Sequence, residues 1–393
     1  MKNQLVSRRN LLATGASALV FNTYALAGQT YQSPGIYIEE TNMVPWQIPS
    51  GETLTCVFIG PFFDREMPSL LVTSSLELES RTAATHRAQY KELFDCVRQY
   101  FGHGGRRAIL VNQDVTGAAG LAEPLSIADD LQFSLLCVPL AHHLYPGQTG
   151  LLRQIYANAL TACEAQRAML LVDGPSPAQA AAWKSSIVLH SPDIAAYAPL
   201  LIQPGSSSAP MTSLGAVAGV FNRMDQARGV WKAPAGAEAA LQVAPANAFS
   251  TNQTEHLTDH NINMIKAFAG KGTMIWGART LEISGGAYKY IPVRRLLQHI
   301  VKNIELAGAD RAFTQNDQAT WDNVKMGIGN YFHTLWRDGA LAGAKPSQAY
   351  FVRCGVGETM SAADIAAGEL IVELGVALLR PAEFITEQIK FQI

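Results

Sequence analysis

Apolar and polar positions along this chain repeat with two periods, and the change from one to the other marks out its elements. A period of two runs through Ile36-Tyr37-Ile38-Glu39, behind the turn signal Ser33-Pro34-Gly35. It returns in the last eight residues, 386–393, where Ile389, Phe391 and Ile393 fall on one side and Gln388, Lys390 and Gln392 on the other. Apolar runs at 53–59, 107–112, 133–139, 168–173 and 195–202 predict buried strands. Residues 86–101 have helical spacing, with Tyr90, Leu93, Phe94, Val97 and Phe101 on one face, and 150–167, 176–187 and 213–227 predict further helices. Segment 61–85 reads as irregular. Strands alternating with helices predict an α/β fold, a sheet with helices packed on it.

From about 260 the pattern changes. Residues 273–277 predict a strand. Helix 292–307 carries Val293, Leu296, Leu297, Ile300, Val301 and Ile304 in register, and helix 318–337 carries Trp321, Val324, Ile328, Tyr331, Phe332 and Leu335. Strands follow at 350–354 and 369–374.

Composition narrows the classes. The chain has 393 residues, 48% hydrophobic and 16% charged, enough apolar surface for a large core and too little charge for a disordered chain. So few charges also suggest surface buried against partners. A net charge of −2 excludes a nucleic-acid binder acting through bulk electrostatics. No run of about 18 apolar residues is present, so no stable membrane insertion is expected. The five cysteines, Cys56, Cys96, Cys137, Cys163 and Cys354, never form CxxC and read as buried thiols of a reducing compartment.

Residues 1–27 point the other way. Ser7-Arg8-Arg9-Asn10-Leu11-Leu12 resembles a twin-arginine export signal, followed by an apolar stretch and the small-x-small site Ala25-Leu26-Ala27. The segment reads either as an export address or as an extra N-terminal piece. The first reading keeps a rival class in play: an exported soluble α/β enzyme or binding protein.

Candidate chemistry is sparse. No GxSxG elbow, Walker A loop, HExxH or CxxC is present, and Gly270-Lys271-Gly272 has Ile265 where a phosphate loop needs its first glycine. Gly102-His103-Gly104-Gly105 lies between a helix and a strand, the order of a helix C-cap and not of an anion site. His142-His143, Asp129-Asp130 and Glu39-Glu40 are adjacent pairs whose side chains diverge on extended backbone. Trp231, Trp276, Trp321 and Trp336 read as core or interface aromatics. No catalytic residue, cofactor or metal site is expected, so the chain reads as a non-enzyme.

A longer pattern carries a family resemblance. Tyr31-Gln32-Ser33-Pro34-Gly35-Ile36-Tyr37-Ile38-Glu39-Glu40 resembles the opening of contractile tail sheath proteins, of phage tails and of phage-tail-like injection particles. Arg228-Gly229-Val230-Trp231-Lys232-Ala233-Pro234-Ala235-Gly236 resembles that family's linker. Ile275-Trp276-Gly277-Ala278-Arg279-Thr280 and Tyr290-Ile291-Pro292-Val293-Arg294-Arg295 follow in the family's order. So do Asn330-Tyr331-Phe332-His333-Thr334-Leu335-Trp336-Arg337-Asp338-Gly339-Ala340-Leu341, Gly375-Val376 and Arg380-Pro381-Ala382-Glu383-Phe384-Ile385. Residues 1–27 precede the point where the family starts.

The resemblance implies an architecture: a discontinuous α+β sheath core domain from 28–60 plus 229–393, with an outer α/β domain, 61–228, inserted. It implies a structural virion or injection-system component without cofactor. Such a subunit assembles in the bacterial cytoplasm as a helical homo-oligomer around an inner tube protein, with baseplate and cap proteins at its ends, and contracts to drive the tube through a target membrane. Terminal strands would stitch neighbours together, with Ile36 and Ile38 at one end of the chain and Ile389, Phe391 and Ile393 at the other. The C-terminal part would face the tube, making Lys325 and Arg337 on helix 320–338, and the segment 359–368, the candidate contacts.

Overall fold

The computed structural model describes residues 46–49, 55–63, 68–114, 131–187, 189–203, 209–283, 286–309, 314–379 and 384–392. Its strands are β1 Thr55–Gly60, β2 Ser69–Val72, β3 Arg107–Asn112, β4 Leu135–Cys137, β5 Met169–Asp173, β6 Ile194–Ala198, β7 Leu201–Ile202, β8 Ala240–Leu241, β9 Ala244–Pro245, β10 Ile262–Phe268, β11 Gly272–Trp276, β12 Tyr350–Arg353, β13 Glu369–Ala377 and β14 Phe384–Gln392. The helices are α1 Ser75–Arg81, α2 Ala84–Gln89, α3 Lys91–Gly102, α4 Thr149–Ala165, α5 Ala180–Ile187, α6 Leu214–Arg228, α7 Thr251–Asp259, α8 Ile291–Ala309, α9 Gln318–Arg337, α10 Pro346–Ala349 and α11 Ala362–Ala366.

A nine-stranded sheet runs in the order β2-β3-β1-β4-β5-β6-β10-β11-β8. From β3 to β10 all neighbours are parallel, and β2, β11 and β8 are antiparallel additions. Every residue of β1, β4, β5 and β6 is buried. That is why these segments read as unbroken apolar runs: a parallel strand is covered on both faces. One face packs Phe58, Leu110 and Leu171 against α3 and α6. The other packs Val57, Val111 and Val172 against α4 and α5. The α3–α6 contact is close: a Cβ on Gly215 would sit 1.8 Å from the carbonyl oxygen of Cys96.

The sheet is not confined to 61–228. It takes β1 from before that span and β8, β10 and β11 from after it. β1 is apolar on both faces and is hydrogen-bonded on both edges, to β3 and β4, so the hydrogen-bonded unit crosses both 60/61 and 228/229.

A third core gathers α8, α9, Trp46 and the inner face of β13. Trp46 is fixed by its backbone N–H to Asn323 Oδ1 (2.8 Å) and its indole N–H to the Ala307 carbonyl (3.2 Å). Polar side chains of α8 then meet the residues just ahead of three parallel strands. Lys302 Nζ donates to the carbonyl of Phe133, before β4, at 2.7 Å. Gln298 Nε2 donates to that of Ala168, before β5, at 2.8 Å. Arg294 holds the carboxylate of Asp193, before β6, at 2.6 and 2.9 Å. The C-terminal core is thereby seated on the amino ends of the sheet.

Three expectations need correction. Helix 86–101 is two helices, α2 and α3, parted at Tyr90, whose backbone (φ −110°, ψ 44°) leaves the helical region. Segment 61–85 holds β2 and α1. The signal for α1 was present: Ser74 Oγ accepts from Glu77 N–H, a Ser-x-x-Glu start. β10 was not foreseen and is the strand through which the sheet continues past β6.

Candidate assembly surface

The last strands form a small sheet, β12-β13-β14. β13 presents Leu370, Ile371, Val372, Leu374 and Val376 to the third core. Phe351 of β12 lies directly opposite Gly375, where a Cβ would come within 2.0 Å of its ring, so the glycine leaves room for the aromatic. β14 runs antiparallel to β13 over nine residue pairs, from Glu369 with Gln392 to Ala377 with Phe384. Ile389 is opposite Val372 and Phe391 opposite Leu370 of the same chain. β14 is the outer strand, and its far backbone edge has no strand beside it among the described residues. Such an edge can accept another strand. Ile36, Ile38 and Ile393 lie outside the described residues.

The two tube-facing candidates both lie on α9: Lys325 is half-buried beside the face that carries Trp321, Val324, Ile328 and Phe332, and Arg337 is exposed at the helix end. Neither charge stands alone. Lys325 Nζ is 3.0 Å from Asp322 Oδ1, and that contact raises the ammonium pKa. Arg337 Nε is 3.5 Å from Asp338 Oδ1, and its side chain is 69% exposed. Of the 359–368 segment, Ser361 and Asp364 form a reciprocal cap on α11. Met326, on α9 within the predicted 320–338 segment, and Val356, beyond β12 and outside the predicted segments, are exposed apolar residues.

The other candidates sort as follows. His103 caps α3, as expected; its Nε2 accepts from Gln242 N–H at 3.0 Å, and burial lowers its pKa. All five cysteines are buried free thiols. Trp321 is buried, whereas Trp276 is half exposed. Asp129-Asp130 and Glu39-Glu40 lie outside the described residues. The expectation for His142-His143 fails. They sit on a short 3-10 turn after β4, not on extended backbone, and their rings lie 4.0 Å apart, both turned towards Glu92 of α3.

Comparison with known proteins agrees with the fold. Residues 284–392 match the phage tail sheath C-terminal domain family. A 125-residue stretch is 31% identical to the tail sheath protein of Vibrio phage KVP40, covering 31% of this chain and 18% of that protein's length. The sheath complex of the extracellular contractile injection system PVC, in its contracted state, is 29% identical with a TM-score of 0.70, over 92% of this chain and 98% of that one. The helical sheath of the anti-feeding prophage (AFP), also contracted, is 29% identical with a TM-score of 0.71, over 91% and 98%.

Both the C-terminal match and the fold are similar to those of contractile tail sheath proteins. The likeness extends over nearly the whole chain to the sheath of the extracellular contractile injection system PVC and to that of the anti-feeding prophage.

Proposed function

We propose that this chain is the structural subunit of a contractile sheath, polymerising helically around an inner tube and shortening to drive that tube through a target membrane. The observation that carries it is the near full-length likeness, at 29% identity, to a sheath in its contracted state. The open edge of β14 adds a physical means. A neighbour's strand can hydrogen-bond to it, and heterologous contacts that do not close give helical arrays.

In this reading the sheath core is 28–60 plus 229–393, with 61–228 as the outer insertion, even though the large sheet draws strands from both. The terminal strands act as tethers while the subunit bodies move between two packings. Baseplate and cap proteins bound the cylinder. The chain carries no turnover of its own; the work comes from the metastable extended assembly. Residues 1–27 are either an extra segment or an export address; in the first case, changing both Arg8 and Arg9 to Lys leaves the protein with its particle.

Electron microscopy of the chain co-expressed with its tube tests the proposal. Long hollow cylinders support it. Small monodisperse particles in a periplasmic fraction, with a chain beginning at Gly28, would instead support an exported α/β protein.

A further inference from the structure

Outside the assembly surface, one side-chain cluster has a geometry that its own hydrogen bonds do not account for. It lies at the carboxyl end of β4 and β5, the position at which open α/β sheets hold ligands. Glu92 comes from the first turn of α3, and His142 and His143 from the turn after β4.

The protons of this cluster can be assigned. His142 Nδ1 lies 2.8 Å from the Pro139 carbonyl, which can only accept, so Nδ1 carries a proton. His142 Nε2 is buried and makes no hydrogen bond, yet it sits 3.3 Å from Glu92 Oε1. In the neutral imidazole that nitrogen holds a lone pair facing a carboxylate oxygen. A cation placed between these two atoms would satisfy both. His143 Nε2 is 2.6 Å from Glu92 Oε2.

The surroundings hold these atoms in place. Thr212 N–H donates to Glu92 Oε1 at 2.9 Å. Behind His142 lies the buried carboxylate of Asp173, 3.7 Å from Nδ1, which is itself fixed by Thr212 Oγ1, Ser213 N–H and Ser213 Oγ. A histidine whose far nitrogen is tied to a carbonyl and backed by a carboxylate is oriented as metal-binding histidines are.

We propose that Glu92, His142 and His143 form a binding site for a divalent transition metal of the zinc class. Their ligand atoms all lie within 4.8 Å of one another. Two imidazoles and a carboxylate are a zinc-type donor set, with a fourth position left for water or a further ligand. His143 is exposed, so the site opens to solvent. The ion would displace the proton shared by His143 and Glu92 and would fill the gap in front of His142 Nε2. It would pin α3 to the β4 turn. The proposal goes beyond the sheath reading and does not depend on it.

The test uses the full chain after chelator treatment. Co2+ is titrated and followed by its visible absorption, and Zn2+ is then used to displace it. One equivalent should bind. His143→Ala and Glu92→Gln should each weaken binding by at least about tenfold, and Zn2+ should raise the melting temperature of the parent but not of His143→Ala. The pair His256 and His260, whose rings lie 4.6 Å apart on and just after α7, is the control. Changing both to Ala should leave binding unchanged. Because His143 is exposed, its variant should melt like the metal-free parent, which separates lost binding from lost fold. Absence of a cobalt band, binding retained in His143→Ala, or binding lost with His256 and His260 would each overturn the site.

Discussion

Arg295 grips Asp225 through both terminal nitrogens, at 2.7 Å to each carboxylate oxygen, and the two side chains are only 3% and 2% exposed. Arg295 belongs to α8 in the third core and Asp225 to α6 on the large sheet, so this ion pair joins the two bodies. The guanidinium also lies over the ring of Phe221, 5.0 Å from its centre. Removing one partner strands a buried charge. Arg295→Met should therefore destabilise the chain by about 3–5 kcal/mol in urea unfolding. Adding Asp225→Leu should restore much of the loss, because the stranded charge is gone. A double variant as unstable as the single one would show that the pair matters through its shape and not its charge.

Close approach of α6 to α3 gives a second expectation. At Gly215 an added methyl group meets the backbone of Cys96, which cannot turn aside as a side chain can. Gly215→Ala should cost about 1–3 kcal/mol by overpacking. Gly150, in α4, has nothing within 4 Å of its missing Cβ. Gly150→Ala should be neutral or stabilise by up to about 1 kcal/mol, from helix propensity alone. Equal melting temperatures for the two variants would argue against so tight a contact between α3 and α6.

Much of this fold was legible in the chain. The terminal strand, α8, α9 and the buried parallel strands were all visible, because each is long or carries a clean period. Gly215 was not, because its demand is set by Cys96, more than a hundred residues away. Nothing in the sequence marks Asp225 and Arg295 as partners; only the fold brings them together out of water. His142 and His143 were misjudged for a local reason. Side chains of neighbouring residues diverge on a strand but can converge on a 3-10 turn, and the partner that draws them together lies on another helix.

His299 makes stability depend on pH. It lines a cavity of about 130 Å3 beside Arg295 and Lys302, and burial pushes its pKa down to about 4. The folded chain holds it neutral, while the unfolded chain protonates it near 6.5. Between those values the unfolded state binds more protons, so this group's contribution to stability is complete above about 6.5 and falls as pH falls towards 4. His299→Gln should flatten the slope of unfolding free energy against pH in that window. A slope unchanged in the variant would assign it to other groups.

On the proposed tube-facing side, Lys325 and Arg337 each have a carboxylate partner, so reversing either charge sets two negative charges side by side. Both sites are near the surface, where such pairs are worth about 0–1 kcal/mol. Lys325→Glu and Arg337→Glu should therefore melt close to the parent yet release sheath from tube on co-sedimentation, with the difference from the parent shrinking as salt is raised. Undiminished co-sedimentation would remove these two residues from the contact.

The decisive segment is β14. Its nine pairs with β13 hold it to its own chain, and its outer edge is open among the described residues. Two roles are then separable by removing residues 386–393. If β14 serves only its own sheet, truncation should give insoluble or unfolded protein, because β13 loses its cover. If β14 also stitches subunits, the truncated chain should stay soluble and folded, with a lower melting temperature, and form no cylinders. The second outcome is expected, since the third core is built from α8, α9 and β13. Burying an aromatic or branched aliphatic side chain contributes roughly 1.5–3 kcal/mol, so Phe391→Ala should weaken assembly more than Lys390→Ala. Phe391→Pro also removes a backbone donor and should weaken it further. Normal, contraction-competent sheaths from the truncated chain would rule out β14 as the stitch between neighbours.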